Sequence, residues 1–183
     1  VDEAHSTGVF GKNGAGLVAE LDLTQQVYAV VYTFGKAMGI HGACIASNQT
    51  VIDYMINYSR SFIYTTAPSP FEFLSIQQAF QFLTNHPDLA IRLKENISTF
   101  NQAIETQRPP RYLSTSAIQV VITEGNLKAK STSKQLQEMG FDVRAILSPT
   151  VKEGEERLRI CLHSFNSKNE VLGLAHALNS LLC

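Results

Sequence analysis

Two short segments contain the residues whose types and spacing could do chemistry, and the first of them is Asp2-Glu3-Ala4-His5. It has the character of the end of a buried strand, and the carboxyl ends of strands in open α/β sheets are where ligands bind. A carboxylate there can pair with a protonated ring nitrogen, and the imidazole of His5 can reach the same ligand. A solvated acidic turn is the alternative, and these four residues alone leave both interpretations open.

The second segment is Thr33-Phe34-Gly35-Lys36-Ala37-Met38-Gly39, which follows a run of β-branched and aromatic residues at 27–33. Its glycines remove side-chain obstruction, so Lys36 can approach a ligand closely. Partial desolvation favours the neutral amine, which is the nucleophile that a Schiff base requires, and Thr33 can donate its hydroxyl to a phosphate. A flexible glycine loop with a solvated lysine is the alternative, because Gly-Lys pairs are common in loops.

The letters Asp-Glu-Ala-His also spell the acidic box of one class of helicase, in which carboxylates hold Mg²⁺. Such an enzyme needs a phosphate-binding Gly-x-x-x-x-Gly-Lys-Ser/Thr loop, which would have to lie upstream of this chain. The Gly-Lys pair at 35–36 comes after the acidic box and lacks the first glycine of that loop. No arginine-rich finger motif for phosphoryl transfer follows it. A DEAH-type nucleotidase therefore remains only as a distant alternative.

Composition limits the partners of the protein. The 183 residues carry a formal net charge of -1, with no basic stripe between aromatic residues, so we expect no nucleic-acid partner. Without an apolar run of transmembrane length or a signal peptide, we expect a cytoplasmic protein with no membrane partner.

Cys44, Cys161 and Cys183 are widely spaced, as expected of reduced thiols without a metal site. Because the chain begins at Val1 without an initiator Met, we expect it to be a fragment.

Residue patterns predict the elements that position the two segments. In the first part of the chain these are two strands and two helical stretches, at 27–33, 43–46, 50–57 and 71–106. Thr50 suits a helix cap, and Pro70 suits a first helical turn. After the linker Arg108-Pro109-Pro110-Arg111, the pattern is strand, helix, strand, strand and helix, at 118–123, 127–139, 141–147, 158–162 and 168–182.

Alternating helices and strands predict α/β or α+β layers, and we expect an α/β fold. We expect a strand-rich piece, a helical connector and a small α/β domain, at 1–68, 69–107 and 108–183. The strands of the first piece need a larger sheet to bury them, so we expect this piece to be the end of a larger domain.

The order of Asp2, His5, Thr33 and Lys36 resembles that of fold-type I pyridoxal-phosphate (PLP) enzymes. Five segments are similar to signature segments of the α-oxoamine synthase family, at 2–11, 33–43, 62–67, 149–151 and 156–160. The similarity runs over essentially the whole chain and covers the C-terminal half of the family's length, although Ala43 replaces the second glycine of a pair. The resemblance implies the C-terminal part of a fold-type I transferase: the end of the large-domain sheet, a helical connector and the small domain.

The resemblance also implies a role for each residue of the first two segments. Lys36 would hold PLP as a Schiff base and later move protons at the α-carbon of the substrate. Asp2 would keep the pyridine nitrogen of the cofactor protonated. His5 would bond the cofactor's 3-hydroxyl and orient the acyl group, and Thr33 would bind the phosphate.

The later segments are implied to bind substrate and a second cofactor. Arg159 would pair with the amino-acid carboxylate, which its guanidinium fork suits, and Thr150 would touch substrate nearby. Thr65 and Thr66 would bind the phosphate of a neighbouring subunit's cofactor, since family members are homodimers with shared sites; a capped turn is the alternative. Arg157 and Arg159 share one face of a period-2 strand, so a salt-bridged surface pair is the alternative there.

The activity implied is the condensation of an acyl-CoA with a small amino acid, with release of CO₂ and CoA. Residues 116–119 and 149–151 are most similar to members that join pimeloyl-CoA to alanine in biotin synthesis, whereas other members make aminoketobutyrate, aminolevulinate or ketosphingoid bases. Catalysis needs groups from both halves, so this chain alone is expected to be inactive. An aminotransferase and a non-catalytic partner subunit remain as alternatives, although the retained Lys36 argues against the latter.

Overall fold

A computed structural model describes residues 1–104, 111–112 and 114–182. The chain forms two compact units, Val1–Pro87 and Asp88–Cys183. The boundary between them falls inside the predicted helical connector, and the predicted domain limits remain a prediction. The predicted linker residues 108–110, the predicted helix end at 105–106 and Cys183 lie outside the described residues.

The first unit is built on a two-stranded antiparallel sheet. Strand β1 (Ala29–Thr33) pairs with β2 (Ala43–Ser47), with Thr33 opposite Ala43. Both strands were predicted, and β1 was predicted from its β-branched and aromatic run. Residues 1–3 run parallel to β1, because the Val31 N–H donates to the Val1 oxygen at 2.9 Å and the Glu3 N–H donates to the Val31 oxygen at 2.8 Å. This pairing agrees with the prediction that the chain opens at the end of a strand, but Val1 and Asp2 are exposed, so the prediction of burial was wrong for these two residues.

Four helices complete the first unit: α1 (Leu17–Glu20), α2 (Gln49–Tyr58), α3 (Arg60–Ile63) and α4 (Pro70–Asn85). The cap of α2 is Asn48, whose Oδ1 accepts the Val51 N–H at 3.0 Å, so the prediction of Thr50 as the cap was wrong. Ser69 and Glu72 form a capping box at the start of α4, with Pro70 in the first turn as predicted.

The second unit packs three helices on a four-stranded antiparallel sheet with the strand order β3-β4-β6-β5. Its elements in chain order are α5 (Asp88–Ala103), β3 (Arg111–Tyr112), β4 (Ile118–Ile122), α6 (Asn126–Glu138), β5 (Arg144–Ile146), β6 (Arg157–Cys161) and α7 (Lys168–Leu182). Helices thus separate pairs of antiparallel strands along this unit, which gives the predicted layers of helix and sheet.

The core of the second unit lies between the sheet and its helices. Leu158 and Ile160 of β6 are buried and point into it, together with Phe100, Leu136 and Leu178 from α5, α6 and α7. Side chains alternate along a strand, so Arg157 before Leu158 and Arg159 between the two buried residues point to the opposite face. This alternation directs both arginines away from the hydrophobic core.

The strand predicted at 141–147 is shorter in the structure, at Arg144–Ile146. The residues just before this strand form the turn that ends α6. In this turn Gly140 has a φ of 92°, and the Phe141 N–H donates back to the Leu136 oxygen at 2.9 Å. The turn that ends the helix therefore uses residues that the pattern assigned to the strand. No helix in the described part of the chain is both long and apolar enough to cross a membrane.

Candidate active site

Asp2 and Thr33 lie on the same face of the strand pair formed by residues 1–3 and β1. The bridge between the two segments places Asp2 opposite Val31, and side chains two residues apart on a strand point to the same face. Both residues also stand at the carboxyl ends of parallel segments, where ligands bind in open α/β sheets. The structure therefore brings the predicted acid and the predicted phosphate-binding hydroxyl to one edge of the first unit.

Lys36 lies in a tight loop whose base is closed by main-chain hydrogen bonds. The Phe34 N–H donates to the Gly42 oxygen at 2.9 Å, and the Ile40 N–H donates to the Phe34 oxygen at 2.9 Å. The Phe34 side chain is buried edge-on against Phe80, with the ring centroids 5.9 Å apart. Phe34 therefore anchors the loop, while Lys36 itself is exposed.

Glycines in the segment that follows His5 let this segment pack closely against the loop that contains Lys36. Gly8 has a φ of 81°, and a Cβ at this position would lie 3.1 Å from the Met38 sulfur and 3.2 Å from the Ala37 Cβ. A Cβ at Gly14 would lie only 2.7 Å from the Gly8 Cα. Sequence reasoning did not single out these two positions, although the four glycines between residues 8 and 16 were the available signal.

Asp2 and His5 stand at the two ends of one turn, and both are exposed. The Asp2 Oδ1 accepts the Ala4 N–H at 2.8 Å, which closes the turn from one side. The Ala4 side chain between them is buried. The turn thus keeps the carboxylate and the imidazole at the surface, with the buried Glu3 and Ala4 between them.

Sequence reasoning missed Glu3, the buried acidic residue of this segment. Its side chain is 1% exposed, and its carboxylate oxygens accept the N–H groups of Leu17 and Val18 at 2.9 and 2.6 Å. Burial, followed by the charge of Glu3, raises the pKa of the Tyr32 hydroxyl. The burial of Glu3 could have been predicted from the alternation of side chains along an extended segment. If Asp2 faces outward on such a segment, the next residue faces inward.

Thr65 and Thr66 lie in the exposed connection between α3 and α4. The Thr65 N–H donates to the Phe62 oxygen at 3.1 Å, so the main chain forms a turn at this point. The contact of both threonines with a neighbouring subunit's phosphate stays a prediction.

In the second unit, the two arginines of β6 differ in their partners. The Arg157 Nε donates to the Glu155 oxygen at 2.8 Å, and its Nη2 donates to the Glu155 carboxylate at 3.1 Å, so the surface-pair interpretation holds for this residue. The Arg159 Nε is buried, and no acceptor in the described part of the chain lies within hydrogen-bond distance of it. A buried donor left unpaired costs about 1–3 kcal/mol, which an incoming carboxylate would recover.

The loop that carries Thr150 is fastened at both ends to the start of α6. The Ser148 N–H donates to the Asn126 Oδ1 at 2.9 Å. At the other end, Glu156 Oε2 accepts the N–H groups of Gly125 and Gly154, both at 2.9 Å. Thr150 itself is exposed in the turn between these anchors.

Glu156 is almost completely buried, and its charge is matched by main-chain donors. The Gly125 N–H, the largest contribution, holds the pKa of the Glu156 carboxyl below its usual range, with the Gly154 N–H adding to the effect. A carboxylate that accepts several main-chain hydrogen bonds is favoured in its charged form. The ionised side chain therefore ties the end of the Thr150 loop to α6.

Comparison with known proteins relates the whole chain to one family. The profile of the family described as aminotransferase class I and II matches residues 1–178. The chain is 39% identical over 190 residues to 8-amino-7-oxononanoate synthase of Emericella nidulans, covering 100% of this chain and 46% of that protein. It is 34% identical to the enzyme of the same name from Photorhabdus laumondii, covering 98% and 46%. The chain thus spans about half the length of the curated relatives it matches.

Solved structures of similar fold cover nearly all of the chain. The 8-amino-7-oxononanoate synthase of Francisella tularensis superposes with a TM-score of 0.84 at 28% identity, covering 98% of this chain and 53% of that one. Sphingomonas wittichii serine palmitoyltransferase gives a TM-score of 0.87 at 25% identity, covering 98% and 46%. An SPT structure with PLP gives 0.86 at 25% identity, covering 98% and 47%. The α/β fold is therefore that of the C-terminal part of a fold-type I PLP transferase.

We predict that Glu156→Gln destabilises the chain in a pH-dependent way. The folded-state pKa of Glu156 lies below the unfolded one, so its ionised form contributes stability above the unfolded pKa, and this contribution is lost as the pH falls through the folded pKa. The urea midpoint of the variant should lie below that of the wild type at pH 7, and the gap should narrow toward about pH 3.

The exposed Glu153 provides the matched control, because it lies in the same loop. Glu153→Gln should leave the midpoint unchanged at both pH values. A gap for Glu156→Gln that stays constant from pH 7 to pH 3 would show that the charge of Glu156 is not what fastens the loop.

Proposed function

Because the chain belongs to the aminotransferase class I and II family, we propose that the protein containing it is a PLP-dependent acyltransferase. It would join an acyl-CoA to a small amino acid and release CO₂ and CoA. The observation that carries this proposal is that Asp2 and Thr33 share one face, while Gly8 packs against Ala37 and Met38 of the loop that contains Lys36. The identity to relatives named 8-amino-7-oxononanoate synthase favours acyl transfer over amino transfer.

The residues of the first unit suit PLP as a ligand. The exposed amine of Lys36 in the loop after β1 would meet the aldehyde of the cofactor, and the carboxylate of Asp2 and the hydroxyl of Thr33 would meet its ring nitrogen and its phosphate. PLP supplies an electron sink that stabilises negative charge at the α-carbon of an amino acid. The donor set on this edge is therefore of the kind that such a cofactor requires.

Each of these residues has a definite task in the proposed reaction. Lys36 would bind the cofactor through Nζ and carry the proton to and from the α-carbon of the substrate. Asp2 would hold the pyridine nitrogen in its protonated form by ion pairing. His5 would donate to the 3-hydroxyl group and orient the acyl group, and Thr33 would hold the phosphate. The buried anchor at Phe34 would keep the lysine loop in place during these steps.

Binding of the amino acid would depend on Arg159. Its buried Nε, which lacks an acceptor in the described part of the chain, would donate to the substrate carboxylate. Thr150 would contact the substrate from the loop fastened to α6. Thr65 and Thr66 would bind the phosphate of the second subunit's cofactor in a homodimer, and a cytoplasmic location is part of the same proposal.

Pimeloyl-CoA and alanine are the substrates that we propose, which would place the protein in biotin synthesis. The 39% identity to the Emericella nidulans enzyme supports this pair. A second α-oxoamine synthase activity, of the serine palmitoyltransferase or aminoketobutyrate type, is the alternative, and the TM-score of 0.87 to the Sphingomonas wittichii enzyme favours it.

We predict that Lys36→Ala abolishes covalent cofactor binding in the whole protein that contains this chain. Wild-type protein with PLP should show a Schiff-base absorbance band that borohydride abolishes by reducing the C=N bond, which leaves the cofactor permanently attached to the Lys36 peptide. Lys12→Ala removes an exposed lysine of the same unit and should leave band and label unchanged. Well-folded wild-type protein without a band, or a band retained in Lys36→Ala, would refute the assignment of the lysine.

We predict that Arg159→Lys weakens binding of the amino acid selectively. Loss of hydrogen bonds to a charged group costs about 1.5–3 kcal/mol, so the KM for the amino acid should rise about 10- to 150-fold. The KM for the acyl-CoA should stay the same. Arg157→Lys, whose wild-type side chain pairs with Glu155, is the matched control. Equal effects of the two substitutions would argue that Arg159 is only a surface residue.

We predict that release of CoA depends on the substrate pair and on the length of the chain. Release of CoA should be fastest with pimeloyl-CoA and alanine, and slow with palmitoyl-CoA and serine, when the whole protein is assayed with both pairs. The 183-residue chain alone should release no CoA with either pair, because groups that orient the reactants would be missing. Faster release with the palmitoyl pair would favour the alternative, and amino transfer to a keto acid without CoA release would contradict both.

A further inference from the structure

Glu3 is the buried acidic residue that lies between the two proposed cofactor contacts of the first unit. Asp2 precedes it and His5 follows two residues later, and both of these are exposed. Glu3 is 1% exposed. Alternation along the extended segment directs it to the face opposite Asp2, so it cannot touch the same ligand directly. Its contribution to the site must therefore pass through the residues on either side.

The carboxylate of Glu3 is held by main-chain donors from a distant part of the chain. Oε1 accepts the Val18 N–H at 2.6 Å, and Oε2 accepts the Leu17 N–H at 2.9 Å. A Cβ at Gly16 would lie 2.8 Å from Oε2, so only glycine leaves room for the carboxylate there. A buried carboxylate is tolerated when it is fully hydrogen-bonded, and such charge-assisted bonds are the strong ones.

The main chain of Glu3 is held from two further directions. Its N–H donates to the Val31 oxygen of β1 at 2.8 Å. Its carbonyl oxygen accepts the Ser6 and Thr7 N–H groups at 3.0 and 2.8 Å, and the Thr7 hydroxyl at 2.7 Å. Glu3 is thus joined to the strand that leads to Lys36, to the turn that contains His5, and to the start of α1.

We propose that Glu3 is a positioning residue that sets Asp2 and His5 relative to β1. This inference rests on the proposed function, because it concerns the two residues that would contact PLP. With its side chain and both main-chain polar groups bonded, Glu3 leaves the turn from Asp2 to His5 little room to shift against β1. Displacement of a reacting group by about 1 Å can cost 10²-fold in rate, so such a fastening has a functional consequence.

The contacts of Glu3 indicate which substitution removes its charge and one hydrogen-bond acceptor while keeping the size of the side chain. Glutamine has nearly the same size, but its amide nitrogen donates and cannot accept a main-chain N–H. In Glu3→Gln, either Leu17 or Val18 would therefore lose its acceptor and the turn would lose one anchor. Glu20 is the matched control, because its Oε2 accepts the Gly11 N–H at 2.7 Å in the same segment but in an exposed position.

The experiment compares Glu3→Gln, Glu20→Gln and wild type in the whole protein, by PLP affinity and by pH titration of the absorbance of the bound cofactor. Glu3→Gln should weaken PLP binding about tenfold, as removal of an outer contact does at other sites. It should also shift the pH titration, because a displaced Asp2 no longer holds the ring nitrogen protonated. Glu20→Gln should change neither. A purely structural role would lower stability and leave the titration of the remaining bound cofactor unchanged.

Hydrogen exchange of residues 2–7 in the cofactor-free protein gives a readout that needs no PLP. Exchange in this segment should be faster in Glu3→Gln than in Glu20→Gln. If Glu3→Gln does not fold, Thr7→Val removes only the 2.7 Å hydroxyl contact and should shift the titration in the same direction by less. Wild-type protein without a cofactor band would overturn the proposed function. A band whose titration is identical in wild type, Glu3→Gln and Thr7→Val would overturn the positioning role alone.

Discussion

The parallel pairing of residues 1–3 with β1 is the constraint on which the arrangement of the first unit depends. Side chains alternate with a period of two, so a slip of one residue in this pairing would exchange the two faces. Asp2 would then point to the side of the buried Phe34, and Glu3 would point to the side of Thr33. The observed register puts the exposed carboxylate on the ligand edge and leaves the buried one to bond the main chain. Two main-chain hydrogen bonds to Val31 maintain this register.

The elements with a strong local pattern could be predicted from the sequence, and those set by competing neighbours could not. The β-branched run before Lys36 formed a strand, and the apolar spacing at the C-terminus formed the helix Lys168–Leu182. The cap of α2 was misplaced because Asn48 and Thr50 are both good capping residues, and only the start of the helix decides between them. The predicted strand after Gly140 lost residues to the main-chain turn that ends α6.

In the candidate site, the types and order of the residues could be read from the sequence, whereas the contacts of single side chains could not. The types and order of Asp2, His5, Thr33 and Lys36 were readable in the sequence because they follow strands. Arg157 and Arg159 looked equivalent, since they share a face, and their difference depends on the position of Glu155 in space. Burial of Glu3 depends equally on residues 16–18, which are distant in sequence. Spacing alone does not reveal contacts of this kind.

Hydrophobic burial is distributed unevenly between the two units. The large hydrophobic cluster draws all its members from the second unit, whereas α2, α3 and α4 of the first unit contain no buried residue. Local opening requires least free energy where buried apolar contacts are few. In the described chain, the unit that carries Lys36 is therefore expected to open locally at a lower free energy than the second unit.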